Sequence, residues 1–264
     1  MKSRTLSTKK SALQKCISKN NTPSQIYCYA KKENAYKYNQ LRKLHSCGNT
    51  KLPKTTFIFN MGDCHNCPSA KLGLCNFRKN CSWQKIEKDT CYGLKAEIIY
   101  PDCLPYRIRQ KSYWLTVSSD QFIADFSAIQ EKKRNKFTLV RFNEGSDFHS
   151  QYCVDKAEKI AIALEKKYGI ACHTYTHRTD LNFSGVSCLN VLNSTANHVK
   201  GLNASYIAIT AKQMINVRAD KFRSIYGTLA EGKYFDNIYF CPSSCKKCTL
   251  CATVKKGIIY TVIH

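Results

Sequence analysis

No run of eighteen or more apolar residues occurs in the 264 residues of the chain, which excludes an ordinary membrane-spanning helix. The opening Met1-Lys2-Ser3-Arg4-Thr5-Leu6 leads into polar sequence without the apolar centre of a signal peptide. The expectation is a cytoplasmic protein that stays where it is made. Acidic residues are the next scarcity: 18 Asp plus Glu stand against 42 Lys plus Arg, a formal net charge of +24. A genome bias towards Lys and Asn normally raises Glu as well, and Glu does not keep pace here. The field of such a chain draws polyanions, so the expected partner is nucleic acid, DNA or RNA. No basic amphipathic helix with a bulky apolar face stands out, so no membrane partner is expected. A Gly-rich phosphate loop and a Gly-x-Ser-x-Gly elbow are both missing, which removes P-loop and α/β-hydrolase chemistry.

What the chain has in plenty is cysteine, 16 residues in all. In a secreted protein that number would suggest disulfides, whereas clustered cysteines in a cytosolic protein more often bind metal. The tightest group is Cys241-Pro242-Ser243-Ser244-Cys245-Lys246-Lys247-Cys248-Thr249-Leu250-Cys251. Short spacing lets thiolates converge on one ion at little cost in loop entropy, and the flanking lysines favour the thiolate form. One tetrahedral ion can hardly use four cysteines from so tight a run. Three of them with the distant His264 make an easier zinc site, and an iron–sulfur cluster is the alternative. The spacing Cys241-x3-Cys245-x2-Cys248 matches that of radical SAM enzymes, but there it follows the first barrel strand and here it follows nearly the last. A looser group, Cys64, Cys67, Cys75, Cys81 and Cys91 with His65 alongside, offers Cys64-His65-Asn66-Cys67 as a half-site, which Cys75 and Cys91 would complete.

Residues 1–55 read as a basic, irregular arm around a short helix at 35–44. Residues 56–264 read as an α/β catalytic-type domain with a Cys-rich loop at 64–91 and a metal-binding segment at 241–264. Strands are expected at 55–61, 137–142, 171–176, 188–192, 206–210, 237–240 and 257–263, from β-branched and aromatic runs. Ser118-Ser119-Asp120-Gln121 forms a capping box before Phe122, Ile123, Phe126 and Ile129. Val154, Ala157, Ala161, Leu164 and Tyr168 make a helical stripe that Gly169 ends. Strands alternating with helices or long turns predict a mainly parallel sheet: an incomplete or distorted (β/α) barrel first, an open sheet second. Either would place the site beyond the carboxyl ends of the strands.

The turn Arg141-Phe142-Asn143-Glu144-Gly145-Ser146-Asp147 falls at such an end. Asp147 is the candidate nucleophile or base and Glu144 its partner; the plainer alternative makes Asp147 or Ser146 the cap of the next helix. His177 and Asn193, ending later strands, are candidates for orienting a substrate. Arg141 and Arg178 are candidate phosphate contacts, and the many Tyr and Phe residues offer stacking to exposed bases.

Asn49-Thr50-Lys51-Leu52-Pro53-Lys54, Cys67-Pro68-Ser69-Ala70, Cys91-Tyr92-Gly93, Gly145-Ser146-Asp147-Phe148 and Tyr175-Thr176-His177-Arg178 come in an order that resembles the phage "gene product eighty-eight" family. The Cys-rich tail ending in histidine completes the likeness, which covers residues 49–264. The resemblance implies a phage or mobile-element protein working in the host cytoplasm; it brings no assigned activity. A more distant similarity of architecture is to tRNA-guanine and DNA deazaguanine transglycosylases, which implies a (β/α) barrel, an Asp nucleophile at a strand end and a Cys3His zinc site. Cys245, Cys248, Cys251 and His264 resemble that site in kind, with a much shorter spacing. The expectation is a nucleic-acid-modifying transferase exchanging a base at a glycosidic bond. An iron–sulfur redox or radical enzyme and a non-enzymatic DNA-binding protein are the alternatives.

Overall fold

The computed structural model describes residues 40–75, 91–195, 199–209, 211–218, 238–242, 245, 248–250 and 251–262. Among these residues eight strands form one sheet: β1 (Ser46–Cys47), β2 (Thr56–Phe59), β3 (Leu139–Phe142), β4 (Ala171–Thr176), β5 (Leu189–Asn193), β6 (Ala204–Ile209), β7 (Ile238–Phe240) and β8 (Gly257–Val262). Their order is β1-β2-β3-β4-β5-β6-β8-β7. Among the described strands only β1 runs antiparallel to its neighbour, and every other pair is parallel. The α/β class and the mainly parallel sheet therefore hold. β1 and β7 are the two ends of this order, and no pairing between them closes a barrel among the described residues.

The helices are α1 (Pro68–Lys71), α2 (Tyr92–Ile99), α3 (Cys103–Thr116), α4 (Ser119–Lys132), α5 (Gln151–Tyr168), α6 (residues 211–218) and α7 (Leu250–Thr253). None is long and apolar enough to cross a membrane. α4 starts where Ser118 Oγ accepts from the Gln121 amide at 3.1 Å, the bond a serine cap supplies to an otherwise unpaired first-turn N–H. α5 buries Val154, Ala157, Ile160, Ala161 and Leu164 and stops at Gly169, which takes the left-handed φ of 65° that a glycine adopts without strain.

Alternation along the strands gives the sheet two different coverings. One face carries Phe57, Phe59, Val140, Phe142, Cys172, Leu189 and Val191 into the main core, against Trp114, Phe122 and Phe126 of α3 and α4 and the stripe of α5. Parallel crossovers are almost always right-handed, which puts successive helices on one side of a sheet that grows in one direction. The opposite face is covered by the tail: Leu192, Ala204 and Ile259 pack with Val254, Leu250, Cys241 and Cys251. Asn190 fastens it, its Nδ2 donating to the carbonyls of Cys251 and Val254 at 2.9 Å each.

The arm boundary at residue 55 moves. Leu41, Leu44 and Leu52 are buried, and Ser46–Cys47 pairs with β2, so residues 41–55 belong to the fold. Of the helix expected at 35–44, the described part is a single 3-10 turn, Leu41–Lys43. The loop 64–91 contains α1; its residues 76–90, Cys81 among them, lie outside the described residues.

Candidate functional site

The carboxyl ends of β2, β3 and β4 meet around Asp147, which is 2% exposed. Its Oδ1 accepts from Thr176 Oγ1 at 2.8 Å and from the Phe148 amide at 2.8 Å. Its Oδ2 accepts from Ser69 Oγ at 2.6 Å and from the His177 amide at 2.8 Å. A carboxylate offers about four lone-pair directions, and all four are filled. Asp147 is thus the knot that ties the Cys-rich loop and the end of β4 to the turn after β3. It is neither a free nucleophile nor a helix cap, since α5 begins four residues later at Gln151.

Glu144 points elsewhere, its Oε1 accepting from Asn49 Nδ2 at 2.6 Å, so the two carboxylates do not work as a contacting pair. Asn193 is buried, and its Oδ1 takes the amide and hydroxyl of Thr195 at 2.9 and 3.0 Å. Arg178 donates from Nε and Nη2 to Asp180, both at 2.7 Å, and from Nη1 to the Phe148 carbonyl; it braces this corner internally and is 5% exposed. Burial holds the His177 imidazole below its ordinary pKa, with the Asp147 charge opposing the shift. That leaves a neutral ring beside the knot at neutral pH.

A second polar group lies one turn away. A Cβ on Gly62 would fall 2.6 Å from His149 Nε2 and 3.1 Å from Ser146 Oγ, which explains a glycine there. Ser146 holds a positive φ of 69° and Asn143 one of 53°, a conformation that side chains other than glycine's rarely take. Desolvation and the charge of Lys111 push His149 down to about 4, Asp63 and the Met61 backbone acting against them.

Of the looser cysteine group, Cys64 is wedged between Gly93 and Gly145, whose added Cβ atoms would each meet its sulfur at 2.6 Å. Arg107 Nη1 donates to that sulfur at 3.2 Å and to Glu97 Oε1 at 2.9 Å, while the Glu97 carboxylate accepts the amides of Cys64 and His65. The hydrogen bond with Cys91, and then burial, raise the Cys64 thiol well above its usual range. Burial carries Cys67 up to about 12, with Cys75 and Cys91 in electrostatic reach. The structure therefore gathers Cys64, Cys67, Cys75 and Cys91 beyond β2.

The tail cysteines also come together. Cys241, Cys245, Cys248 and Cys251 line one cavity of about 30 Å³ between the tail and the sheet, with Arg141, His173 and Tyr175 as its sheet wall. That is room for about two water-sized atoms, and a nucleobase does not fit. Arg141 lies 5.2 Å from the Tyr175 ring centroid, donates to the Tyr92 hydroxyl at 3.2 Å and lines this cavity. Among the described residues, no three His, Cys, Asp or Glu side chains stand in an arrangement that would hold an ion. The sulfurs share a cavity without forming a coordination sphere. His264 lies outside the described residues.

Sequence reasoning singled out Asp147 and both cysteine groups, and it passed over Asp63, Arg107, His149 and His173. Arg107 and His173 sit inside a helix and a strand where a polar residue reads as surface, and only the long-range packing shows otherwise. No protein-family model matches the chain, and no curated protein and no solved structure matches it either.

Proposed function

We propose that the protein is a metal-containing enzyme that modifies nucleic acid at the carboxyl ends of β2, β3 and β4. One observation carries the reading: a buried carboxylate, Asp147, organises three chain segments at the end of a parallel sheet, the place where α/β enzymes bind and transform their ligands. The charge of +24 supplies the attraction for a polyanionic substrate. Asp147 acts as a positioning residue. Proton transfer then falls to the His177 imidazole, kept neutral by burial and held at its amide by Asp147. Base exchange at a glycosidic bond, in a barrel-like arrangement of the parallel strands, is the reaction class that the transglycosylase resemblance suggests; its nucleophile would have to be a group other than the saturated Asp147. The sulfur donors of the tail suit zinc, which there would hold the tail against the sheet, away from the chemistry.

A second reading, an iron–sulfur redox or radical enzyme, is favoured by the group Cys64, Cys67, Cys75 and Cys91. This group follows β2, the first parallel strand, the position that the tail cysteines lack. Brown colour and absorption near 400 nm in anaerobically purified protein would select it.

The test is nucleoside mass spectrometry of DNA and RNA from cells producing the protein, with wild type beside His177→Gln. A new nucleoside from the wild type, lost in a folded His177→Gln, is expected. A wild type that binds nucleic acid and leaves every nucleoside unchanged makes it a binding protein instead.

A further inference from the structure

Charge is divided between the two ends of the sheet. The turns that leave β2, β3 and β4 hold Asp63, Glu144, Asp147 and Asp180. The segments that lead into the parallel strands hold the opposite sign. Residues 54–55 before β2, 132–138 before β3, 166–170 before β4, 199–203 before β6 and 255–256 before β8 each contain Lys or Arg, and no Asp or Glu. Strand pairing sets these segments side by side: the Thr138 amide donates to the Thr55 carbonyl and the Gly257 amide to the Asn203 carbonyl, both at 2.9 Å. The segment before β5 is uncharged, and Lys255 reaches into it, its Nζ donating to the Ser187 carbonyl at 3.1 Å.

Local roles account for only some of these cations. α4 and α5 end at this edge, each with about half a negative charge. Lys136 answers the first, its Nζ donating to the Gln130 and Glu131 carbonyls at 2.8 and 2.7 Å. The carboxylates in the last turns of the two helices are engaged, Glu131 with Lys167 at 3.3 Å and Glu165 with the Cys188 thiol. Lys54, Lys132, Arg134, Lys166, Lys200 and Lys256 are all exposed, and none has a side-chain partner among the described residues. On the outer faces of α4 and α5 the signs mix instead, as where Lys159 meets Asp120 at 2.9 Å. Like charge gathered along one edge costs stability through self-repulsion, which a polyanion relieves.

What the edge lacks selects the polyanion. No exposed large apolar side chain belongs to these segments, so nothing there inserts into a lipid surface. Their aromatic residues are Phe137, which is buried, and Tyr168, whose hydroxyl donates to Glu131. The bases of a single strand would find no free ring to stack on. A duplex needs neither feature, because its phosphates lie on the outside. Strand spacing of about 4.8 Å makes the row from β2 to β8 about 24 Å long. One strand of a duplex carries about seven phosphates over that length, at about 3.4 Å of axis each.

We propose that the amino-terminal edge of the sheet, through Lys54, Lys132, Arg134, Lys166, Lys200 and Lys256, grips the phosphate backbone of a nucleic-acid duplex without reading its bases. The proposal rests on nucleic acid as the partner and separates the grip from the chemistry at the opposite ends of the strands. Strands of four to six residues hold the two edges about 13–20 Å apart, roughly the length of four to six base pairs.

The experiment titrates the full-length protein onto a fluorescent duplex, as DNA and as RNA, between about 50 and 200 mM salt. Each phosphate contact contributes about 0.9 to the slope of log affinity against log salt. Lys54→Gln/Arg134→Gln/Lys166→Gln/Lys256→Gln should therefore lower that slope by about three to four and weaken binding at least about 100-fold at the lower salt. The control Lys71→Gln/Lys95→Gln/Lys159→Gln/Lys212→Gln removes the same charge from α1, α2, α5 and α6, and should change affinity less than about 5-fold, since distant charges are screened. Circular dichroism checks the fold. Arg134→Gln alone, with a slope lower by about one, carries the test if the fourfold variant unfolds. Equal losses in the two fourfold variants would mean that binding follows net charge, and the edge is then refuted. A larger loss in the control refutes it too, while the nucleic-acid partner stands. Tighter binding to single strands, or to phosphatidylserine vesicles, overturns the duplex assignment. A wild type that binds neither DNA nor RNA removes the nucleic-acid partner itself, and the grip with it.

Discussion

At the scale of single residues, Asp147 shows how far a sequence argument reaches. Its position after an apolar strand marks it as a strand-end carboxylate. Its partners Ser69 and Thr176 lie 78 and 29 residues away, and no local pattern announces a hydroxyl as a partner. Asp147→Asn leaves one oxygen for four donors, so we expect a loss of about 2–5 kcal/mol by urea denaturation. An unchanged midpoint would mean that the four bonds contribute nothing. Gly145 makes a sharper case, because a Cβ there meets Cys64 Sγ at 2.6 Å and Arg107 Cζ at 2.9 Å. Gly145→Ala should cost roughly 1–3 kcal/mol through overpacking and expose the Cys64 thiol to alkylation; equal alkylation rates in both proteins would refute the wedge. His149 carries one part of the pH dependence, beside His45, His173 and His177, whose rings burial also holds below their ordinary value. Its folded value of about 4 lies below the roughly 6.5 of the unfolded chain, so its contribution is whole above pH 6.5 and is lost as pH falls towards 4. Lys111, Asp63, Arg178 and the Met61 carbonyl face it. Stability should drop between pH 6.5 and 4, and His149→Gln should make that limb shallower without abolishing it; a variant that keeps the full slope assigns it to the other histidines.

At the scale of elements, the regular half of the chain was legible and the polar half was not. β4 falls at 171–176 as the alternation indicates, and α5 ends at Gly169, because apolar periodicity and a glycine stop are strong local signals. α2 and α3 escaped notice. α3 turns Arg107 and Gln110 inward alongside Leu104, Ile108, Tyr113 and Trp114, so its buried face does not read as an apolar stripe. These inward polar groups have work: Gln110 joins Asn60 Nδ2 and the Leu44 carbonyl at 3.1 and 2.7 Å. Glu158 does the same for α5, accepting the amides of Ser187, Cys188 and Leu189 and the Ser187 hydroxyl at 2.7–3.0 Å. Burial works against its charge, but those hydrogen bonds prevail and hold its carboxyl below the usual range. Glu158→Gln should therefore loosen the start of β5 and cost about 2–4 kcal/mol. Exposed Lys166→Gln on the same helix is the control, and amide hydrogen exchange at residues 187–189 should rise in the first variant alone.

At the scale of the whole molecule, composition foretold class and charge, while the closure of the sheet was beyond it. Whether eight strands complete a circle depends on the twist and stagger they accumulate, which no window of sequence contains. The charge of +24 makes its own prediction. If six or more phosphates are contacted, affinity for nucleic acid should fall by roughly 10³-fold or more between 50 and 200 mM salt. Binding that ignores salt, or no binding to DNA or RNA at 50 mM, would remove the nucleic-acid partner.

The exchange of β7 and β8 in the strand order has a temporal meaning. From β1 to β6 each strand pairs with the one synthesised before it, so a chain leaving the ribosome can extend its sheet as it emerges. β7 breaks that rule, because its partner among the described strands, β8, is made later and must insert between β6 and β7. The thiols of residues 241–251 emerge in that interval, before β8 fastens the segment beneath them. Until β8 has inserted, Cys241 and Cys251 lack the strand they pack on, and the step that seals them is the arrival of β8.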